Sequence, residues 1–227
     1  MKTFITMLIL FGSIASTNAQ DWAGLNHFKQ ENQELDAPSE NENRVVFMGN
    51  SITIGWLKSR PDFFKNKPYV NRGISGQTTP QMLLRFRQDV IGLQPKVVVI
   101  LAGTNDIAGN TGPATLNMIL DNIISMIQLA EANGIKTVLC STLPAHDYPW
   151  KPGMEPAKKI PALNQMIQTY AELNNIIYLD YFSAMVDDRN GLPKEYAEDG
   201  VHPTKEGYVI MEPLVENAIQ TALKQNK

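Results

Sequence analysis

The sequence predicts an α/β fold: a three-layer sandwich with a parallel sheet of about five strands between two layers of helices. Three observations lead to it. Five apolar runs recur along the chain, and the longer ones lack polar alternation, as strands buried on both faces do. Long helical patterns separate the later runs, and strands alternating with helices build right-handed βαβ units. Finally, 227 residues with 43% hydrophobic and 19% charged content suit one domain with a sizeable core, and hence one active site.

Taken in order, residues 1–19 read as a secretory signal peptide. Lys2 precedes an apolar run from Phe4 to Ile14, and Ser16, Thr17, Asn18 and Ala19 supply the small-residue end before Gln20. A spanning anchor needs about 20 continuous apolar residues, more than this run holds. No cysteine adjoins the cleavage point, so no lipid anchor is signalled and the exported chain is expected without stable membrane insertion. Residues 20–43 form a polar lead-in whose Trp22, Leu25 and Phe28 recur at near-helical spacing, which predicts partial packing on the domain. The domain itself runs over 44–227. Its strands are predicted at 44–48, 69–70, 96–102, 135–141 and 176–181, and its helices at 79–91, 114–133, 157–173 and 204–224. Pro113 marks the start of the second helix and Gly134 its end. Pro213 within the last pattern predicts a kink or break, with Ile210, Leu214 and Ala218 turned to the sheet.

Charge and composition exclude some functions. Losing Lys2 with the leader takes the formal charge from -3 to -4, so a nucleic-acid partner has no electrostatic support. The one cysteine, Cys140, lies inside an apolar run and reads as a small core residue.

In a sheet of this kind ligands sit beyond the carboxyl ends of the strands, so chemistry is sought just after each run. The first run leads into Gly49-Asn50-Ser51, which places a hydroxyl there. Alone, Ser51 could equally be a cap or turn residue. The chain has three histidines. His27 lies in the lead-in, His146 follows the fourth run, and His202 stands three residues after Asp199 in a segment bent by Gly200 and Pro203. Such a bend can fold the carboxylate onto one ring nitrogen while the other faces a serine, the arrangement of nucleophile, base and orienter. Oxyanion donors are available in 71–79, where glycines admit close backbone approach, and in the Asn105 amide of Gly103-Thr104-Asn105-Asp106.

With these four blocks in this order, the chain resembles the SGNH hydrolase superfamily of GDSL-like lipases and acylhydrolases over nearly the whole of 44–227. The resemblance implies a flavodoxin-like sheet and a catalytic Ser51, Asp199 and His202. It also implies an oxyanion hole from the N–H groups of Ser51 and Gly76 and the amide of Asn105, with Gly73 the alternative to Gly76. Asn50 departs from the family's Asp before the serine and puts local hydrogen bonding in question.

The implied reaction is ester hydrolysis through an acyl-enzyme, with no metal and no organic cofactor. The expected substrate is a small-molecule or glycan ester, with acetyl groups on carbohydrates favoured over lysophospholipids or thioesters. His146, Tyr148 and Trp150 are candidates for the wall of its site. Two rivals belong to other classes. A glycosidase could draw on Asp187, Asp188, Glu195, Glu198 and Asp199, and a glycan-binding protein could use the same cleft without catalysis. His146 with Asp147 could also begin a metal site, but no third ligand is apparent.

Overall fold

The computed structural model describes residues 21–225, so the expected signal peptide lies outside the described residues. Five parallel strands, β1 (Val45–Gly49), β2 (Tyr69–Gly73), β3 (Val97–Leu101), β4 (Lys136–Cys140) and β5 (Ile177–Leu179), form one sheet in the order β2-β1-β3-β4-β5. This is the flavodoxin-like order, whose topological switch lies between β1 and β3. Gly49 pairs with both Gly73 and Leu101, so the carboxyl ends of the three strands around the switch lie level.

Period-two alternation divides the strand side chains between two cores. Val46, Met48, Val98, Ile100 and Leu139 meet α4 (Thr79–Asp89), α6 (Leu116–Ala132) and α7 (Pro156–Leu173). Val45, Phe47, Val99, Leu101 and Cys140 meet α2 (Ser51–Ser59), α3 (Pro61–Phe64), α8 (Tyr181–Met185) and α9 (Lys205–Lys224). Cys140 is thus a core residue, and burial pushes its thiol pKa up.

Several elements differ from expectation. The first helix of the domain, α2, begins at Ser51 itself, and the short α3, α5 (Thr104–Ile107) and α8 are further helices beyond the four expected. In the lead-in, only α1 (Lys29–Glu34) is helical; Phe28 is buried, while Trp22 and Leu25 are exposed. Helix α6 starts after the Thr115 cap, leaving Pro113 outside it. It ends as expected at Gly134, whose φ of +70° allows the Ile135 N–H to reach the Ala130 carbonyl.

Pro213 neither breaks nor ends α9. Its ring faces solvent, where the carbonyl of exposed Val209 can be hydrated in place of the lost bond. The buried stripe is Tyr208, Met211, Val215, Ala218, Ile219 and Ala222, so Ile210 and Leu214 flank the contact rather than centre it. In α7, Pro161 likewise removes a donor from the Ala157 carbonyl, which instead accepts from the Asn190 amide at 3.1 Å.

Candidate active site

Ser51 is the first residue of α2, immediately beyond β1. Asn50 caps the helix: its Oδ1 accepts from the Ile52 N–H at 3.0 Å, so a neutral amide does the local bonding that a carboxylate could do. The helix sits unusually close to the strands. A Cβ on Gly49 would lie 1.9 Å from Thr53 Oγ1, and one on Gly73 would lie 2.4 Å from the Ile54 nitrogen. Asn71 fastens the same helix, donating to the Thr53 carbonyl at 2.7 Å, and Tyr208 of α9 donates to the Ile52 carbonyl at 2.7 Å.

The segment before α9 brings the imidazole to this hydroxyl. His202 Nε2 lies 2.9 Å from Ser51 Oγ, and His202 Nδ1 lies 2.6 Å from Asp199 Oδ2. The other Asp199 oxygen accepts from the N–H groups of Val201 and His202, an Asx-type turn made possible by Gly200 at φ +78°. With Nδ1 protonated toward the carboxylate, Nε2 is left as the acceptor for the Ser51 hydroxyl. Partial burial raises the Asp199 pKa, but the His202 ring and the two N–H groups outweigh it and hold the carboxyl below its ordinary value.

The other strand ends supply donors. Gly76 stands at φ +77°, and among the described residues no acceptor takes its N–H. Gly73 does not share that freedom, because its N–H donates to Asn71 Oδ1 at 3.0 Å. Asn105, buried on α5, gives one amide hydrogen to the Gln77 carbonyl at 2.9 Å and keeps a second in a direction fixed by the planar amide. Its neighbour Asp106 accepts from the Thr79 N–H and hydroxyl at the start of α4, and burial raises its pKa to about 6.

The three wall candidates separate. Trp150 is 45% exposed, and its ring centroid lies 5.9 Å from that of His202. Tyr148 is fully buried at the base of a neighbouring cleft: its hydroxyl bonds Thr104 on α5, and its ring supports Trp150 at 5.2 Å. His146 lines this cleft of about 350 Å³ with Arg189, Lys194, Glu198 and Asp199, and its Nδ1 is taken by the Arg189 carbonyl. Among the described residues no group of three or more His, Cys, Asp or Glu could hold a metal ion. Asp187, a glycosidase candidate, instead closes its own loop onto Arg189 and Gly191.

Sequence reasoning assigned no role to Arg85, Gln77, Asn71 or Tyr208, all buried and all bonded to backbone near the site. The one visible signal was Arg85, a charge on the apolar face of a helix beside Met82 and Phe86.

Serine, histidine and aspartate are thus joined at the carboxyl rim of a doubly covered parallel sheet. Residues 47–210 match the model of the GDSL-like Lipase/Acylhydrolase family, and the chain belongs to that family within the SGNH hydrolases, an ester-hydrolysing group. It is similar to the protein BF3764 of Bacteroides fragilis NCTC 9343, at 51% identity and TM-score 0.89 over 90% of this chain and 100% of that one. The GDSL-like lipase BT0569 of Bacteroides thetaiotaomicron VPI-5482 is 49% identical at TM-score 0.86, over 88% and 98%. An acetylxylan esterase of Geobacillus stearothermophilus, 19% identical at TM-score 0.62 over 81% and 96%, shares the fold. The lipoprotein YqeF of Bacillus subtilis (strain 168) is 35% identical over 82 residues, which are 35% of this chain and 34% of YqeF.

Proposed function

We propose that this chain is an exported serine esterase that removes short acyl groups, acetyl foremost, from carbohydrates through an acyl-enzyme. The carrying observation is the unbroken chain of contacts from Ser51 Oγ through the His202 ring to Asp199. In the first step His202 Nε2 takes the Ser51 proton as Oγ bonds to the ester carbon. The carbonyl oxygen gains the negative charge, facing the N–H groups of Ser51 and Gly76 and the Asn105 amide. Collapse breaks the bond to the alcohol, which leaves with the proton from His202. Water then attacks the acyl-serine, giving a proton to His202, and release of the acid restores Ser51. Asp199 holds the ring tautomer throughout and balances the imidazolium.

Two features support a carbohydrate ester. The exposed Trp150 ring beside His202 offers a flat face for a sugar, and the adjoining cleft sets Arg189, Lys194, Glu198 and Asp199 beside the apolar Pro149, Pro152 and Leu192, a mixture that suits a sugar's hydroxyls and ring face. The leader-like run at 1–19 supports export, as does the likeness to a protein described as a lipoprotein. Ser51→Ala should abolish hydrolysis of p-nitrophenyl acetate with circular dichroism unchanged; retained turnover would sink the assignment. A preference for long-chain acyl esters over acetylated oligosaccharides would move the substrate to the lysophospholipase type.

A further inference from the structure

Gln77 follows Gly76 directly, and its side chain takes no part in the chemistry above. It is buried, and its amide is bonded in two directions: Nε2 donates to the Ala23 carbonyl at 2.6 Å and Oε1 accepts from Arg85 Nε at 2.5 Å. Its main-chain carbonyl is the acceptor that orients the Asn105 amide. Three parts of the molecule therefore meet at one residue.

Each of those parts is itself anchored. Arg85, fully buried, donates to the Gly49 carbonyl at 3.0 Å and the Arg72 carbonyl at 2.9 Å, tying the ends of β1 and β2 together two residues before Ser51. Its charge is met by Asp89 at 3.0 Å. The lead-in is docked along α4, with the Trp22 and Leu25 carbonyls accepting from Gln81 and Gln88. The Phe28 ring lies 4.6 Å from the Arg72 guanidinium. This segment precedes residue 47, where the family match begins.

We infer that Gln77 is a positioning residue for the Asn105 oxyanion donor, held by the N-terminal lead-in through the Ala23 carbonyl. The inference rests on the reading of Ser51 as nucleophile with Gly76 and Asn105 as donors. Once the Gln77 side chain no longer pins this segment, its main-chain carbonyl can shift and the Asn105 amide can rotate away from a charge present only in the transition state, so the loss belongs in kcat rather than KM.

The test is a mutant cycle of Gln77→Leu and Asn105→Ala, singly and together, assayed on p-nitrophenyl acetate well below each variant's melting temperature. Gln77→Leu should lower kcat about 10- to 100-fold with KM within about twofold. In the Asn105→Ala background the same change should cost less than about threefold, because the donor it positions is already gone. Gln77→Glu keeps the acceptor for Arg85 but sets an oxygen against the Ala23 carbonyl. It should lower kcat likewise and speed amide hydrogen exchange over residues 21–34, and it replaces Gln77→Leu in the cycle should that variant not fold. An equal loss in both backgrounds, or a loss confined to KM, overturns the inference. So does full kcat in both Gln77 variants of an enzyme that Ser51→Ala silences. Turnover surviving Ser51→Ala strikes the parent reading instead.

Discussion

Asp106 carries a carboxyl into the interior one residue past Asn105, and that has a thermodynamic signature. Its pKa in the folded chain is about 6 against an ordinary 3.8, with burial the main cause and the Thr79 donors opposing it. Between these values the folded state binds more protons than the unfolded state, so this group's contribution to stability falls as pH rises through that window, by up to about 3 kcal/mol. Denaturant melts of the wild type and Asp106→Asn at pH 4 and pH 7 should therefore diverge, with the wild type losing ground relative to the variant at pH 7. A constant gap between the two proteins refutes the buried charge. Among single residues, those read from sequence were the ones with few competitors: three histidines, one of them three residues from an aspartate and separated from it by a glycine. The burial of Tyr148 could not be read from its neighbours, because an aromatic in a loop faces solvent or core according to the path of the loop, which they do not set. The role of Gln77 was invisible, and Arg85 showed only as a charge on an apolar helix face, for a related reason: their partners, Ala23, Gly49 and Arg72, are far off in sequence or are backbone atoms without identity.

Elements show the same division. Most strands were legible because uninterrupted apolar runs have few alternatives in a single domain, but β2 was foreseen only at 69–70, where Asn71 and Arg72 cut the run short, and α2 was not foreseen, since Ile52, Thr53, Ile54 and Gly55 weaken helix propensity locally. What makes α2 a helix is the local Asn50 cap together with tertiary support: the Asn71 and Tyr208 bonds to its carbonyls, and glycines in both strands beneath it. Pro213 misled for the opposite reason, a local rule overridden because the missing bond faces water. The glycine contacts make a prediction about the element as a unit. In Gly73→Ala the new methyl meets two backbone atoms, the Ile54 nitrogen at 2.4 Å and the Asn50 carbonyl oxygen at 2.8 Å, so α2 must move away from β2. Overpacking of this kind costs about 1–3 kcal/mol, and a shift of about 1 Å at Ser51 can lower kcat about 100-fold. Gly92→Ala, whose nearest neighbour is the Arg87 carbonyl oxygen at 3.4 Å, is the control and should leave kcat unchanged. Equal activity in the two variants would mean that close docking of α2 does not set the position of the serine.

Across the whole molecule, the two layers are joined to the site unequally. The face bearing α2, α3, α8 and α9 delivers both the serine and, through the segment leading into α9, the histidine; it is packed around an aromatic cluster. Trp56 stacks on Phe63 at 4.9 Å and on Tyr208 at 5.5 Å, and Tyr208 in turn holds the Ile52 carbonyl one residue from Ser51. The opposite face contributes the Asn105 and Gln77 side through α4 and α5, and Ile123, in the middle of α6, is a core side chain whose neighbour Asn122 bonds Thr79 rather than Asn105 or Gln77. Equal damage to the two layers should consequently have unequal effects. Ile123→Ala in α6 should lower stability by about 2–5 kcal/mol, which at about 2–4 °C per kcal/mol is a large drop in Tm, with kcat at 25 °C within about twofold of wild type. Trp56→Ala should lower stability by about 3–5 kcal/mol and also reduce kcat, because the cavity it leaves lies under the Tyr208 ring that fixes α2. The measurement is Tm and kcat for both variants, compared at a temperature where each is fully folded. If kcat falls equally in both, the site responds to global stability, and the division of labour between the layers is wrong. If only Trp56→Ala loses turnover, the serine's placement depends on one core and tolerates injury to the other.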